Sequence, residues 1–227
     1  MFRCQPWTES KTRFIYNLDG CVMRLKLVQL GEAVLRQTAR PLSIEEIRSE
    51  FVRQLIRDMR ETLRDAPGVG LAAPQVGLAI QLAIIEDLPE YSRDLGAEQL
   101  AARERRPTPF HVIINPEIVN PEIEGHGGEQ VEFFEGCLSL GGFTALVPRF
   151  RQVSVRCLDE NGEPRAIEAS GWYARILQHE IDHLNGTVYI DRMHTRTFMS
   201  VENFSRRWRE QSIDEVKRTL LFAPDGA

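Results

Sequence analysis

The chain has 227 residues, of which 42% are hydrophobic and 27% charged, and a net charge of −5. That length holds one sizeable core, and the acidic balance argues against a general nucleic-acid binder. No apolar run approaches the ~18–20 residues that span a bilayer. Four cysteines (Cys4, Cys21, Cys137, Cys157) without a Cys-x-x-Cys pair do not make a disulfide framework.

Residues 1–22 lack the apolar stretch of a secretory signal and carry Glu9 and Asp19, so they read as an extension that the core does not need, and a cytoplasmic location follows. A catalytic unit over 23–195 and a C-terminal helical segment over 196–227 complete the expected division. Arg24 to Leu30 alternates as a strand does. Ser43-Ile44-Glu45-Glu46 has the form of a capping box. From there Ile44, Ile47, Phe51, Leu55, Met59 and Leu63 recur at helical spacing up to Asp65, which predicts one helix with a plain core stripe, ended by Pro67-Gly68. Buried strands are expected at Leu78–Ile85 and Val112–Ile114, with the charged stretch 87–110 between them a surface excursion. Further strands are expected at 117–124, 129–134, 152–158 and 165–169, with Cys157 as apolar filler in the third of these. A helix over 171–184 should stop at Asn185-Gly186. Thr187–Ile190 reads as a short strand, and 200–219 as an amphipathic helix presenting Val201, Phe204, Trp208, Ile213 and Val216. Many strands and few helices make this an α+β fold, with antiparallel or mixed strands packed around a central helix.

That central helix carries the chemistry. It contains His179-Glu180-Ile181-Asp182-His183. Residues four apart on a helix lie ~40° apart around the axis, so both imidazoles can aim at one cation. Glu180 swings toward the rim of such a site, where a carboxylate can take a proton from a water polarised by the ion. A third protein ligand is needed. The metzincin pattern would place a histidine at position 189, where this chain has Tyr189. Two sources stay open on the residues alone: a downstream glutamate, Glu202 being the nearest, or Cys137 in Glu135-Gly136-Cys137-Leu138-Ser139.

A third segment, Gly68-Val69-Gly70-Leu71-Ala72-Ala73-Pro74-Gln75, is built of small residues and ends in an amide. Taken in order, Gly-Val-Gly-Leu-Ala-Ala-Pro-Gln, Glu-Gly-Cys-Leu-Ser and Gln-His-Glu-Ile-Asp-His resemble the peptide deformylase family over roughly residues 24–192. The resemblance implies hydrolysis of the N-formyl group from nascent peptides that begin with formylmethionine, releasing formate. It implies one divalent metal on Cys137, His179 and His183, ferrous iron in the usual form, with zinc, nickel or cobalt able to replace it. Glu180 becomes the general base and acid, and the Gln75 side chain and the Leu138 backbone N–H become donors to the oxyanion. Val69 and Ile176 are expected to wall the methionine pocket, and Gly70 and Gly136 to pair with the substrate backbone. Glu135, Arg149 and Asp182 are expected to orient the ligands through a shared network.

Thr144 stands where many bacterial members carry a substrate-contacting arginine; this loop and the approach Gly171-Trp172-Tyr173-Ala174-Arg175-Ile176 look like the organellar-type branch. His111, His126 and His194 have no partner at ligand spacing and read as surface or satisfied residues. The rival readings are a generic zinc peptidase and a degenerate metal- or peptide-binding module. An arginine-bearing last helix also suggests docking on the ribosome.

Overall fold

The computed structural model describes residues 22–66, 68–119 and 128–222. The expected extension at 1–22, with Cys4 and Cys21, falls almost wholly outside that range, as does His126. In chain order the helices are α1 (Ile44–Ile47), α2 (Glu50–Asp65), α3 (Ala97–Ala102), α4 (Gly171–Leu184), α5 (Val201–Arg207) and α6 (Ile213–Leu220). The strands are β1 (Gly70–Ala72), β2 (Leu82–Asp87), β3 (Thr108–Ile118), β4 (Gln130–Cys137), β5 (Leu140–Phe150), β6 (Gln152–Leu158), β7 (Pro164–Ser170) and β8 (Met199–Ser200). They form two antiparallel sheets, ordered β1-β2-β3-β6-β7 and β4-β5-β8. This is the expected α+β class.

Side chains alternate across a strand, so each face of the large sheet can take its own helix. Ala83 and Ile85 of β2, with Ile113 of β3, pack with Ala174, Leu177, Ile181 and Leu184 of α4. Leu82, Ile84, Val112 and Ile114, one residue out of phase, pack with Leu55, Met59 and Leu63 of α2. Both faces are covered, which is why these strands read as continuous apolar runs. Cys157 is buried in the first cluster, as expected. Helix α4 touches β1, β2 and β7 of the large sheet and β5 of the small one, so its residues can reach both. No helix among the described residues is long and apolar enough to cross a membrane.

Helix α4 has the predicted bounds because its end is closed chemically. The N–H groups of Asn185, Gly186 and Thr187 bond to the carbonyls of Ile181, His183 and Asp182, and Leu184 O takes the N–H of Ala39. Gly186 has φ +72°, and a Cβ there would lie 2.8 Å from the backbone of Arg36, so only glycine fits.

Other expectations are corrected. The run 24–30 is extended but joins no sheet. The N–H groups of Leu25, Val28 and Leu30 go to Thr62 Oγ1, Gln75 O and Ser139 O, and that of Met23 just before the run goes to Asp58 Oδ1, so the segment clips α2 to the two loops instead of pairing with a strand. The helix predicted from Ser43 is broken in two. The capping box at Ser43 and Glu46 forms as expected, but Ser49 then caps Val52 N–H and starts α2 afresh. Ile44, at the start of α1, and Phe51, just after the break, are 41% and 42% exposed, so they are not core. Residues 140–150, treated as a loop, form β5. The predicted strand 187–190 is a short 3-10 turn, because Asp191 Oδ2 accepts from Val188 N–H and closes it. The last helix is likewise split into α5 and α6, with Ser212 capping the second. Of its predicted apolar face, Val216 is fully buried and Val201 is exposed.

Candidate active site

Three elements deliver the site. β1 runs directly into the turn that carries Gln75, β4 ends on Cys137, and α4 supplies His179, Glu180 and His183. Ligating atoms of Cys137, His179 and His183 lie within 4.8 Å of one another, with Cys137 Sγ 3.2 Å from His183 Nε2. Ligands at ~2.0–2.3 Å from a tetrahedral ion stand roughly 3.3–3.8 Å apart, so a thiolate and two imidazoles at this spacing suit a divalent cation. Burial, reinforced by His179, holds the His183 imidazole well below its usual pKa, and thus in the neutral form that ligates. Burial opposes charge on His179 too, but Cys137 and Glu135 overcome it and favour the protonated ring. A cation bound to that ring would compete with this proton for the same lone pair. Glu202, in the first turn of α5, is 79% exposed and paired with Arg206, so it does not supply the third ligand.

Glu180 is 3% exposed, and its Oε2 has no hydrogen-bond partner. Burial pushes its carboxyl up to about 7. The room for it is made by Gly70: a Cβ on that residue would lie 2.8 Å from Glu180 Cγ and 2.7 Å from its Cδ. Gln75 is equally defined. Its Oε1 accepts from Ala72 N–H at 2.8 Å, which turns its Nε2 toward Cys137 Sγ at 3.4 Å. The amide therefore caps the loop and faces the Cys137 sulfur at once. Ser139 N–H also donates to the sulfur, at 3.4 Å.

Glu135, Arg149 and Asp182 are all buried and joined. Arg149 donates through Nε and Nη2 to both oxygens of Glu135 at 3.0 Å and through Nη1 to Asp182. Glu135 Oε2 also pairs with His179 Nδ1 at 3.0 Å, leaving Nε2 for the cation. Burial alone would raise the Glu135 carboxyl, but Arg149 and His179 hold it far below the usual carboxylate range. Sequence reasoning missed two members. Arg175 donates to Glu135 at 2.5 Å and to the carbonyls of Val147 and Val131, and Arg192 pairs with both oxygens of Asp182 at 2.7 Å. The signal for Arg175 was its place one helical turn before His179.

A cleft of about 770 Å³ opens over these groups; its lining includes Val69, Gly70, Gln75, Gly136, Leu138 and Ile176, every pocket and oxyanion residue expected from the sequence. Thr144 is not among them. It is buried in β5, and its hydroxyl donates to Glu135 O, so it cannot stand in for a substrate-contacting arginine. The excursion 87–110 is more than surface, because Tyr91 and Arg105 line the cleft. His111 pairs with Tyr173 at 2.9 Å and His194 with Glu132 at 2.8 Å, the satisfied roles expected of them.

A model of the polypeptide deformylase family matches residues 24–198. The chain is 45% identical over 177 residues to the chloroplastic peptide deformylase 1A of Solanum lycopersicum, spanning 78% of this chain and 62% of that protein. It is 41% identical to the mitochondrial peptide deformylase of Homo sapiens, spanning 76% and 69% of the two, and 40% identical to peptide deformylase 3 of Streptomyces avermitilis, spanning 88% and 86%. The Met-Ala-Ser-bound class I type b peptide deformylase of Acinetobacter baumannii superposes with a TM-score of 0.66 at 31% identity, over 76% of this chain and 100% of that one. The Synechococcus elongatus enzyme in complex with actinonin gives 0.61 at 41% identity, over 76% and 80%. With the family match running unbroken through all three motifs, this chain belongs to the peptide deformylase family.

Proposed function

We propose that the protein removes the N-formyl group from peptides that begin with formylmethionine, yielding formate and a free amino terminus. The observation that supports this most strongly is the convergence of Cys137, His179 and His183 beneath a cleft whose wall holds a buried, unpartnered Glu180 oxygen. The metal ligands on this reading are those three residues. A divalent cation held by them would supply Lewis acidity to the water and to the formyl carbonyl.

The chain's own groups do the rest. Glu180 Oε2 takes a proton from the attacking water as oxygen bonds to the formyl carbon. As the C–N bond breaks, it returns that proton to the departing amine. The Gln75 amide and the Leu138 N–H donate to the oxygen that gains charge between the two steps, a contribution of ~3–4 kcal/mol per donor in comparable sites. Glu135, Arg149 and Asp182 fix the ring of His179 through Nδ1. The substrate backbone enters as an added strand. β1 and β4 are each the end strand of their sheet, so one edge of each is left for it, at Gly70 and Gly136. The first side chain then falls between Val69 and Ile176. The peptide in the Acinetobacter structure begins with methionine, the residue this reading seats there.

We assign ferrous iron as the ion; zinc, nickel and cobalt suit the same donors. Anaerobically purified protein should release formate from a formyl-Met peptide and carry one equivalent of metal, mostly iron, by elemental analysis. Cys137→Ala should lose both the metal and the activity, and retention of metal by that variant would favour the zinc-peptidase reading. A non-catalytic module has no use for a buried carboxyl aimed into the cleft, which counts against that alternative. We place the protein in the cytoplasm, acting on chains as they emerge from the ribosome, with Arg206, Arg207 and Arg209 at and just beyond the end of α5 as the contact. Co-sedimentation with ribosomes should then be lost when the three become Glu; binding that survives the change would exclude this contact.

A further inference from the structure

A second cavity, of about 570 Å³, shares a lining residue with the cleft; its lining includes Leu100, Ala101, Glu104, Ser170 and Tyr173. Arg105 is the one described residue that lines both spaces. Its neighbours across the start of α4 divide in the same way, since Trp172 faces the cleft and Tyr173 the second cavity. The side chain of Arg105 is held firmly where it stands. Its Nε and Nη2 donate to Asp87 at 2.9 and 2.8 Å, Asp87 is 2% exposed, and the guanidinium lies 5.2 Å from the centroid of the Trp172 ring. An arginine fixed by a bidentate carboxylate and an aromatic face is a rigid wall, not a solvated charge.

We propose that Arg105 is a specificity-determining residue: it partitions the two cavities and so limits the length of the first side chain that the cleft admits. The inference rests on the deformylase reading and adds to it the class of substrate excluded, namely formyl peptides whose first side chain is unbranched and longer than that of methionine. Truncating Arg105 joins the cleft to a space that offers Leu100, Ala101 and the Tyr173 ring as apolar contacts. Each methylene newly buried there is worth about fourfold in binding.

The test compares formyl-Met-Ala-Ser with the same peptide bearing 2-aminononanoate in place of methionine, a side chain three heavy atoms longer. In Arg105→Ala the ratio of kcat/KM for the long substrate to that for formyl-Met should rise at least tenfold over the unaltered protein, chiefly through KM. Because Arg105→Ala strands the buried Asp87 carboxylate, Arg105→Ala/Asp87→Ala is measured alongside it, and the same rise is expected there. A ratio that rises less than tenfold in a folded variant with full metal content overturns the proposal. The two peptides without their formyl groups, titrated calorimetrically, give the comparison without chemistry. Unaltered protein that fails to turn over formyl-Met-Ala-Ser therefore refutes the deformylase reading, while the ratio of binding constants still decides on the partition.

Discussion

Glu180→Gln lowers kcat for formate release by about 10²–10⁴-fold while metal content and KM stay near those of the unaltered protein. Glutamine keeps the shape that fits against Gly70, where Glu180 Cγ and Cδ would leave no room for a Cβ, so the cleft is not rearranged. What is lost is the proton carrier alone. A carboxyl pushed by burial to about 7 is poised to accept a proton near neutrality and to give it back, and an amide does neither. The check is steady-state kinetics beside elemental analysis of the same preparation. A variant that keeps more than a tenth of the original kcat would remove Glu180 from the role assigned to it.

Arg149→Leu is expected to destabilise the protein by about 3–5 kcal/mol, the usual cost of removing one partner from a buried ion pair, and to weaken metal binding ~10–100-fold. Arg149 is 3% exposed and answers two carboxylates, Glu135 and Asp182, that have almost no solvent. Arg175 and Arg192 hold one each, so the cluster is weakened and not abolished. The sign with pH follows from Glu135. Its folded-state pKa lies well below the ordinary carboxylate value of 4.5, so the stability it lends is present above that value and lost as pH falls through the depressed one. Without Arg149 that loss begins at a higher pH. Urea unfolding at neutral and acidic pH, with chelator competition for the metal, checks both effects. Stability within 1 kcal/mol of the original would mean that the network holds nothing in place.

Much of this site could be read from the chain, and the reason is local chemistry. Histidines four apart on a helix closed by Asn185-Gly186 share one face, so α4 and the convergence of its two imidazoles were legible to the residue. Cys137 needed the ordered motifs, because nothing local separates a ligand thiol from an idle one. β5 was hidden because Gly141-Gly142 and Pro148 carry the marks of a loop, while its pairing with β4 runs from Gln130↔Phe150 to Cys137↔Leu140. The run at 24–30 failed for the opposite reason. It alternates correctly, but its N–H groups find side chains and loop carbonyls, a tertiary choice that no periodicity records. Arg105 and Arg175 were overlooked because an arginine in a charged stretch or on a helix is most often solvated. Only the fold shows the carboxylates that bury them.

The fit of Gly70 against Glu180 ties two distant parts of the chain to a single fate. While the carboxylate remains, position 70 tolerates nothing larger than hydrogen, whatever its strand would otherwise prefer. In a lineage that shortened the side chain at position 180, that restriction would lift, and alanine or serine could drift in without harm. A side chain at position 70 is thus expected only together with a residue shorter than glutamate at position 180.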